Sequence, residues 1–413
     1  MSQDEKRFLP YGRHLVDEAD IAAVAAVLRS DYLTTGPVVT AFERAMAARV
    51  GARFALSCSS GTGALHLAAL ALGLGHGDAV VVPTMTFLAT ANAARYVGAE
   101  VIFADVDPQS GLMTEETLND ALARAERSGA KVGAIFPVHL NGQCVDLEMV
   151  ARHAEARGLK VVEDACHVLG GTYRSGGGDD VPVGSCRFGD MAVFSLHPVK
   201  VIAMGEGGVV TTDDEELRDR LVRYRNHGMV RAPSAFEDAR LAFDCEGDPG
   251  PWYYEMPDPG YNYRASDIHC ALGLSQLKKL DRFVAARGDL VARYDAALAE
   301  LAPVVRPLRR VPWCRPAWHL YVVLIDFAAA GIERAALMKR LRAAGIGTQV
   351  HYLPVHLQPY YRRRYGEQSL AGAEAYYRGC LSLPLFPAMG EADVDRVVNA
   401  LQEALGLTPE TGR

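Results

Sequence analysis

The sequence predicts an α/β fold in which a large domain with a mostly parallel sheet precedes a smaller C-terminal α+β domain. Three observations predict it. Apolar, strand-like runs alternate with helical patterns through the first three-fifths of the chain. Near residue 265 the texture changes, and a long helical pattern opens a mixed segment. The 413 residues also exceed what one ordinary hydrophobic core organises. The division this suggests is residues 1–265 and 266–413.

The elements follow from local pattern. Asp17 to Leu28 reads as a helix, because Val16, Asp20, Ile21, Val24, Val27 and Leu28 recur at helical spacing. Gly63 to Leu72 is a second helix, small and apolar, closed by Gly73. Buried strands are expected at Ala79–Val82, Val101–Ala104, Val132–Val138, Leu159–Val162 and Met191–Phe194, with a helix at Leu147–Arg157 between two of them. Ser266 to Ala297 reads as one long helical pattern with Ser266 as its N-cap. Beyond it come a strand at His319–Leu324 and helices at Arg334–Ala343 and Glu391–Leu405. The Gly- and Asp-rich stretch Ser175–Gly184 reads as a flexible loop, and Ala232–Pro251 as irregular.

Composition excludes several classes. A 49% hydrophobic and 23% charged chain is globular, and a net charge of −7 gives no reason to expect a nucleic-acid or anionic-membrane partner. Eight scattered cysteines without a C-x-x-C pair argue against a disulfide framework or a zinc site and for reduced thiols. The polar start, Met1 to Pro10, lacks the apolar core of a signal peptide, and no apolar run is long enough to span a bilayer. A cytoplasmic protein is expected, with no metal.

Four segments carry chemistry. In FSLHPVKVIAMGEGG (Phe194–Gly208), Lys200 follows a strand in a loop of small residues. Lysine forms imines with aldehydes, and it is nucleophilic near neutral pH where its surroundings favour the free amine. Alone, it is more simply a surface lysine. In VVEDACHVLGG (Val161–Gly171), a strand delivers Glu163 and Asp164 at its carboxyl end, where open parallel sheets place ligands. A carboxylate there can keep a ring nitrogen protonated; a metal ligand or a solvated strand end remains an alternative for the pair. In SSGTGALHLA (Ser59–Ala68), small residues lead into a helix whose N–H groups, with the Thr62 hydroxyl, suit a phosphate. It is not a Walker A loop, and a plain capped helix is the simpler reading. In PTMTFLATANA (Pro83–Ala93), Phe87 begins a helix where its ring can stack on a planar ligand or merely fill the core.

Together the four are less easily dismissed. A phosphate loop, an aromatic ring, a strand-end aspartate and a lysine occur in that order along one α/β domain. In this the sequence resembles the DegT-type nucleotide-sugar aminotransferases, pyridoxal-5′-phosphate (PLP) enzymes of fold type I. The likeness runs from PYGRHLVDEADIAAVAAVLRSDYLTTGP to LSLPLFPAM. EDACHVLGGTY, GYNYRASDIHCALGLSQLKKLDRF and VHYLPVHLQPYYRR draw it toward the branch that aminates a UDP-linked 4-keto-6-deoxy-N-acetylhexosamine for pseudaminic acid.

The resemblance implies a set of roles. Lys200 is the Schiff-base lysine that also moves the proton, Asp164 faces the pyridine nitrogen, and His167 lies beside the phenolic oxygen. Phe87 stacks on the ring, while Gly61, Thr62 and Ser195 contact the phosphate. Asn262 reaches a phosphate across a homodimer interface, making each active site composite. L-glutamate is the implied amino donor. Thr34, Thr35, His351 and His356 lie in segments resembling substrate-lining loops. Two departures stand out: Leu196 replaces a second phenylalanine found in many relatives, and Ser175–Gly184 is longer and more acidic than usual. Relatives that dehydrate sugars carry histidine at the lysine position, so Lys200 favours the aminotransferase branch. Amination of a dTDP-linked 3- or 4-keto-6-deoxyhexose is the alternative. A non-catalytic regulator is the remote one, since no segment is left over for a DNA-binding module.

Overall fold

The computed structural model describes residues 8–407. In chain order the large sheet and its helices are α1 (Glu18–Leu28), α2 (Pro37–Val50), β1 (Phe54–Cys58), α3 (Gly61–Ala71), β2 (Asp78–Pro83), α4 (Leu88–Tyr96), β3 (Glu100–Ala104), α5 (Glu115–Ser128), β4 (Lys131–Ile135), α6 (Leu147–Glu155) and β5 (Lys160–Asp164). A short hairpin, β6 (Thr172–Arg174) and β7 (Asp180–Pro182), precedes β8 (Met191–Ser195), β9 (Gly208–Thr212), α7 (Glu215–Arg225) and the single turn α8 (Ala239–Ala242). Then come α9 (Asp267–Leu277), α10 (Leu280–Leu298), β10 (Val305–Pro307), β11 (Cys314–Arg315), β12 (Tyr321–Ile325), α11 (Arg334–Ala343), α12 (Pro359–Tyr365), α13 (Ala371–Gly379), β13 (Cys380–Leu383) and α14 (Glu391–Leu405).

Seven strands form the main sheet in the order β1-β9-β8-β5-β4-β2-β3. Only β9 runs against its neighbours, so β1, two antiparallel steps from β8, points the same way as the five parallel strands. The carboxyl ends of β1, β2, β4, β5 and β8 therefore open on one edge. Crossover helices bury both faces of such a sheet, which is why its strands are apolar runs rather than alternating ones. The first core cluster spans them, from Val80, Val81 and Val82 to Val193 and Phe194, all with essentially no exposure. A second cluster joins α10, α11 and α14 to the sheet β10-β12-β13, and Leu9 enters it from the other end of the chain.

Two expectations are corrected. The long helical pattern from Ser266 is two helices, not one. Ser266 does cap the first, accepting the His269 N–H at 3.3 Å, but the chain breaks at Lys278 and Lys279. There Lys279 turns its ammonium onto Asp17 and, at 2.8 Å, onto the fully buried Asp20 of α1. A buried carboxylate is costly unless it is paired, and this break supplies the cation. The stretch Ser175–Gly184 is no free loop either: β7 lies inside it, β6 and β7 pair antiparallel, and β11 adds a third strand. Among the described residues, no helix is long and apolar enough to cross a membrane.

Candidate active site

A cavity of about 830 Å³ opens at the shared edge of the parallel strands, and Lys200, Asp164, His167, Phe87, Gly61, Thr62 and Ser195 all line it. A wider cleft of about 1090 Å³ between β3, α5 and α12 contains none of them.

Lys200 reaches the cavity because β8 stops at Ser195 and the chain folds back on itself. Leu196 N–H donates to Gly207 O and Met204 N–H to Leu196 O, both at 2.9 Å, while Lys200 N–H closes a turn on His197 O at 2.8 Å. Burial pushes the Lys200 amine below its ordinary 10.5, and the nearby Cys166 and Asp164 oppose that shift. Such an environment is the one that favours a free amine.

The two carboxylates of β5 separate by strand alternation. Glu163 turns away from the cavity, with its Oε2 3.2 Å from Nε2 of the fully buried His139. Asp164 turns into it. Its Oδ2 accepts the Thr90 hydroxyl at 2.6 Å and its Oδ1 the Cys166 N–H at 3.2 Å, so both oxygens are held. A carboxylate that accepts two bonds and lines a cavity is set to receive one more proton donor there.

Opposite lies the start of α3. Ser60 caps it, taking the Gly63 N–H on its hydroxyl at 3.0 Å and the Ala64 N–H on its carbonyl at 2.9 Å. That leaves the N–H groups of Gly61 and Thr62 without protein partners among the described residues, at the positive end of the helix. The crowding explains the glycines. A Cβ on Gly61 would stand 2.8 Å from Cβ of Ser195, and one on Gly208 would stand 2.3 Å from Ser60 O. The cradle thus fits an anion bound by backbone N–H groups and the Ser195 side chain. Phe87, the N-cap residue of α4, keeps 54% of its surface exposed, so a ring face is free for a planar ligand.

The remaining wall is a cluster of neutral histidines and one tyrosine. His167 Nδ1 accepts the Asn141 N–H at 3.3 Å, so its single proton sits on Nε2, which lies 3.1 Å from the Tyr352 hydroxyl. Burial, with Lys200 and His351 adding to it, drives His167 well below 6.5. His319 packs on His167 with ring centres 4.5 Å apart and is likewise pushed far down by burial, its Nδ1 unpartnered among the described residues. His351 is lowered to about 3, chiefly by burial, and bonds the Ser382 hydroxyl through Nδ1 at 2.7 Å. Burial also keeps Tyr352 a neutral phenol, above its usual range. As His167 Nε2–H donates to it, the Tyr352 hydroxyl hydrogen is free to point elsewhere.

Thr90, Asn141, His319 and Tyr352 escaped the reading of the sequence. Tyr352 was within reach, because it stands beside His351 in VHYLPVHLQPYYRR. His319 opens the run anticipated as a strand. Of the segments resembling substrate-lining loops, His351 lines the cavity, Thr34 and Thr35 are exposed outside this chain's cavity, and His356 is buried with its Nδ1 2.8 Å from the Thr84 hydroxyl. Asn262 also lies outside its own chain's cavity and is exposed. Its neighbour Tyr263 docks the segment on the loop that opens α3, its carbonyl accepting the Ser59 N–H at 2.8 Å.

Comparison with known proteins places this geometry. The model of the DegT/DnrJ/EryC1/StrS aminotransferase family matches residues 14–402. SpsC of Bacillus subtilis (strain 168), a spore coat polysaccharide biosynthesis protein, is 38% identical over 407 residues, 98% of each chain. Among solved structures, Helicobacter pylori PseC, an aminotransferase involved in the biosynthesis of pseudoaminic acid, aligns with TM-score 0.85 and 27% identity over 97% of this chain and 100% of its own. DesI, solved in the presence of its TDP-sugar product, aligns with TM-score 0.81 and 30% identity over 97% of this chain and 93% of its own. Spr1654 of Streptococcus pneumoniae, solved in its PLP form, aligns with TM-score 0.83 and 27% identity over 97% of this chain and 99% of its own. The chain belongs to the DegT/DnrJ/EryC1/StrS family and is a PLP-dependent sugar aminotransferase of fold type I.

Proposed function

We propose that the chain transfers the amino group of L-glutamate to the keto carbon of a UDP-linked 4-keto-6-deoxy-N-acetylhexosamine. The observation that carries the chemistry is the placement of the half-buried Lys200 and of Asp164 across one cavity from the open N-terminus of α3. Likeness to PseC over nearly the whole chain supports the substrate.

The residues divide the work. Lys200 would anchor the cofactor, and its free amine would move the proton at Cα of the donor and at the aminated sugar carbon. Asp164, fixed by Thr90 and the Cys166 N–H, would hold a proton on the cofactor's ring nitrogen. Gly61, Thr62 and Ser195 would bind the phosphate, and Phe87 would stack on the ring. His167 and Tyr352, joined by a hydrogen bond at 3.1 Å, would hold the cofactor's phenolic oxygen. PLP, when bound, supplies the electron sink and carries the amino group between the two substrates. Asn262, exposed in its own chain, completes the phosphate site of a second copy, so the working unit is a homodimer.

DesI and its TDP-sugar product favour one second reading, amination of a dTDP-linked keto-sugar. Incubating the enzyme with ¹⁵N-glutamate and each nucleotide keto-sugar separates the two. The proposal expects the label in the UDP-linked 4-amino sugar, with kcat/KM at least ~10²-fold above that for dTDP substrates. Preferred labelling of a dTDP sugar overturns it.

A further inference from the structure

Two segments far apart in sequence meet beneath the cavity floor. The loop 139–145 leaves β4, and the segment 313–319 runs from β11 toward β12. Ala317 N–H donates to Gly142 O at 3.1 Å, His319 N–H to Asn141 O at 3.2 Å, and Trp313 Nε1–H to Cys144 O at 3.0 Å. The fit is close enough to require glycine at 142, with φ 111° and a hypothetical Cβ only 2.5 Å from Ala317 O. Between the two segments, Cys144 and Cys314 bring their sulfurs to 3.1 Å across 170 positions of sequence. Both are free thiols. A disulfide needs ~2.05 Å, so the sulfurs are only ~1 Å from bonding distance.

The two thiols differ in access. Cys144 has no exposure, and burial pushes its thiol well up; Cys314 keeps 9% of its surface, on the edge strand of the sheet β11-β6-β7. Cys314 Sγ also accepts the Cys144 N–H at 3.1 Å, which fixes that sulfur against the loop. The more accessible sulfur is therefore the one placed to react first, with a resolving thiol already against it.

We propose that Cys144 and Cys314 are a redox pair that closes a reversible disulfide between the active-site loop and β11, with a hydroperoxide as the oxidant. In the first step the Cys314 thiol attacks the peroxide, the O–O bond breaks, and Cys314 becomes a sulfenic acid as one water (or alcohol) leaves. In the second, the Cys144 sulfur displaces the sulfenic oxygen, which leaves with the Cys144 proton as water. Two electrons pass from the thiol pair to the peroxide, and no other reductant or oxidant is required. The bridge joins the loop whose Asn141 N–H holds His167 to the segment that leads into His319. Because backbone bonds already fix both segments, the bridge closes in place and acts as a staple rather than an off-switch.

Full-length holoenzyme is treated with hydrogen peroxide, alkylated after denaturation, digested without reductant and mapped by mass spectrometry. The expected result is a Cys144–Cys314 cross-linked peptide ~2 Da below the sum of its reduced halves, reversed by dithiothreitol. Turnover should be retained, and Tm should rise by roughly 5 °C, because the bridge closes a long loop in the unfolded chain. The exposed Cys245 serves as the internal control for thiol reactivity. C314S should abolish the cross-link, and C144S should leave Cys314 sulfenic acid open to dimedone. The mapping on wild type needs neither variant to fold. Alkylatable Cys144 and Cys314 after Cys245 is fully oxidised, or a Cys314 sulfonic acid with no bridge, overturns the pair. A bridge that lowers Tm or extinguishes turnover overturns closure in place.

Discussion

Acidification should destabilise this enzyme before its carboxylates begin to titrate, and His351 provides the cleanest measure. Its folded pKa of about 3 lies below the ordinary 6.5, because burial penalises the charged ring. Between those values the unfolded chain binds a proton that the folded chain refuses, so stability falls as pH falls. The effect is absent well above pH 6.5, grows through the window below it, and levels off near the folded value. At about pH 5 the unfolded state gains RT ln(1 + 10^1.5), about 2 kcal/mol. An unfolding entropy of ~2.1 cal/mol/K per residue gives about 0.9 kcal/mol/K for 413 residues, hence a Tm shift of ~2 °C from this side chain. His167 and His319 are pushed down by the same cause and act with the same sign. Glu100, held at about 2 chiefly by its bond to Arg364, releases its contribution only below the ordinary 4.5, in a separate window.

The assay is the difference between wild type and His351→Gln. Both proteins, saturated with PLP, are melted in matched buffers from about pH 7.5 to about pH 5, the window in which the unfolded histidine takes up its proton. The variant should close on wild type by ~2 °C as the pH drops, because it has no ring to protonate. Parallel curves across that window would refute the reasoning: His351 would then be protonated in the folded enzyme, or would never gain a proton on unfolding.

Four further outcomes are expected. Borohydride should fix PLP covalently to Lys200, found by peptide mapping, while Lys200→Ala loses transamination yet still binds the cofactor in equilibrium dialysis. Asp164→Asn, which keeps shape and removes charge, should cost at least ~10²-fold in kcat with the cofactor still bound. Tyr352→Phe strands the His167 Nε2–H; it should lower kcat by ~10-fold with little change in KM and shift the pH at which the bound cofactor's visible band titrates. Mixing inactive Lys200→Ala with weak-binding Asn262→Ala chains should restore about half of the activity per mixed dimer, since one composite site is then intact; mixed dimers without activity count against Asn262 crossing the interface.

The parallel strands were legible because both of their faces are covered. β2, β3, β5 and β8 fall within two residues of the apolar runs expected for them, and Glu391–Leu405 and Arg334–Ala343 match outright. β1 and β9 were missed. They pair with each other, and GVVTT buries two threonines through bonds that pattern alone does not reveal: Thr211 to Gly184 O and Thr212 to Asp190 O, both at 2.8 Å. The break after α9 was equally hidden, because Lys279 reads as a surface position until α1 brings Asp17 and Asp20 beneath it.

The same distinction runs through the site. Lys200, Asp164 and Phe87 stand at or just beyond the carboxyl ends of β8, β5 and β2, which parallel topology sends to one edge, whereas the Gly61–Thr62 pair was marked by its small residues opening a helix. Order along the chain was therefore enough to bring the first three together, and β1, aligned by two antiparallel steps, adds the pair to the same edge. Tyr352 follows no sheet strand. It reaches His167 from 185 positions away, on a segment whose course is set by Ser382 and Gln349 pairing backbone to backbone at the edge of β13. The motif around Tyr352 marks the segment, but its partner Ser382 lies 30 positions further along the chain. The parts of the site that the sheet delivers can be read from spacing, whereas the parts delivered by the second core depend on how that core packs against the sheet, a property of the whole chain.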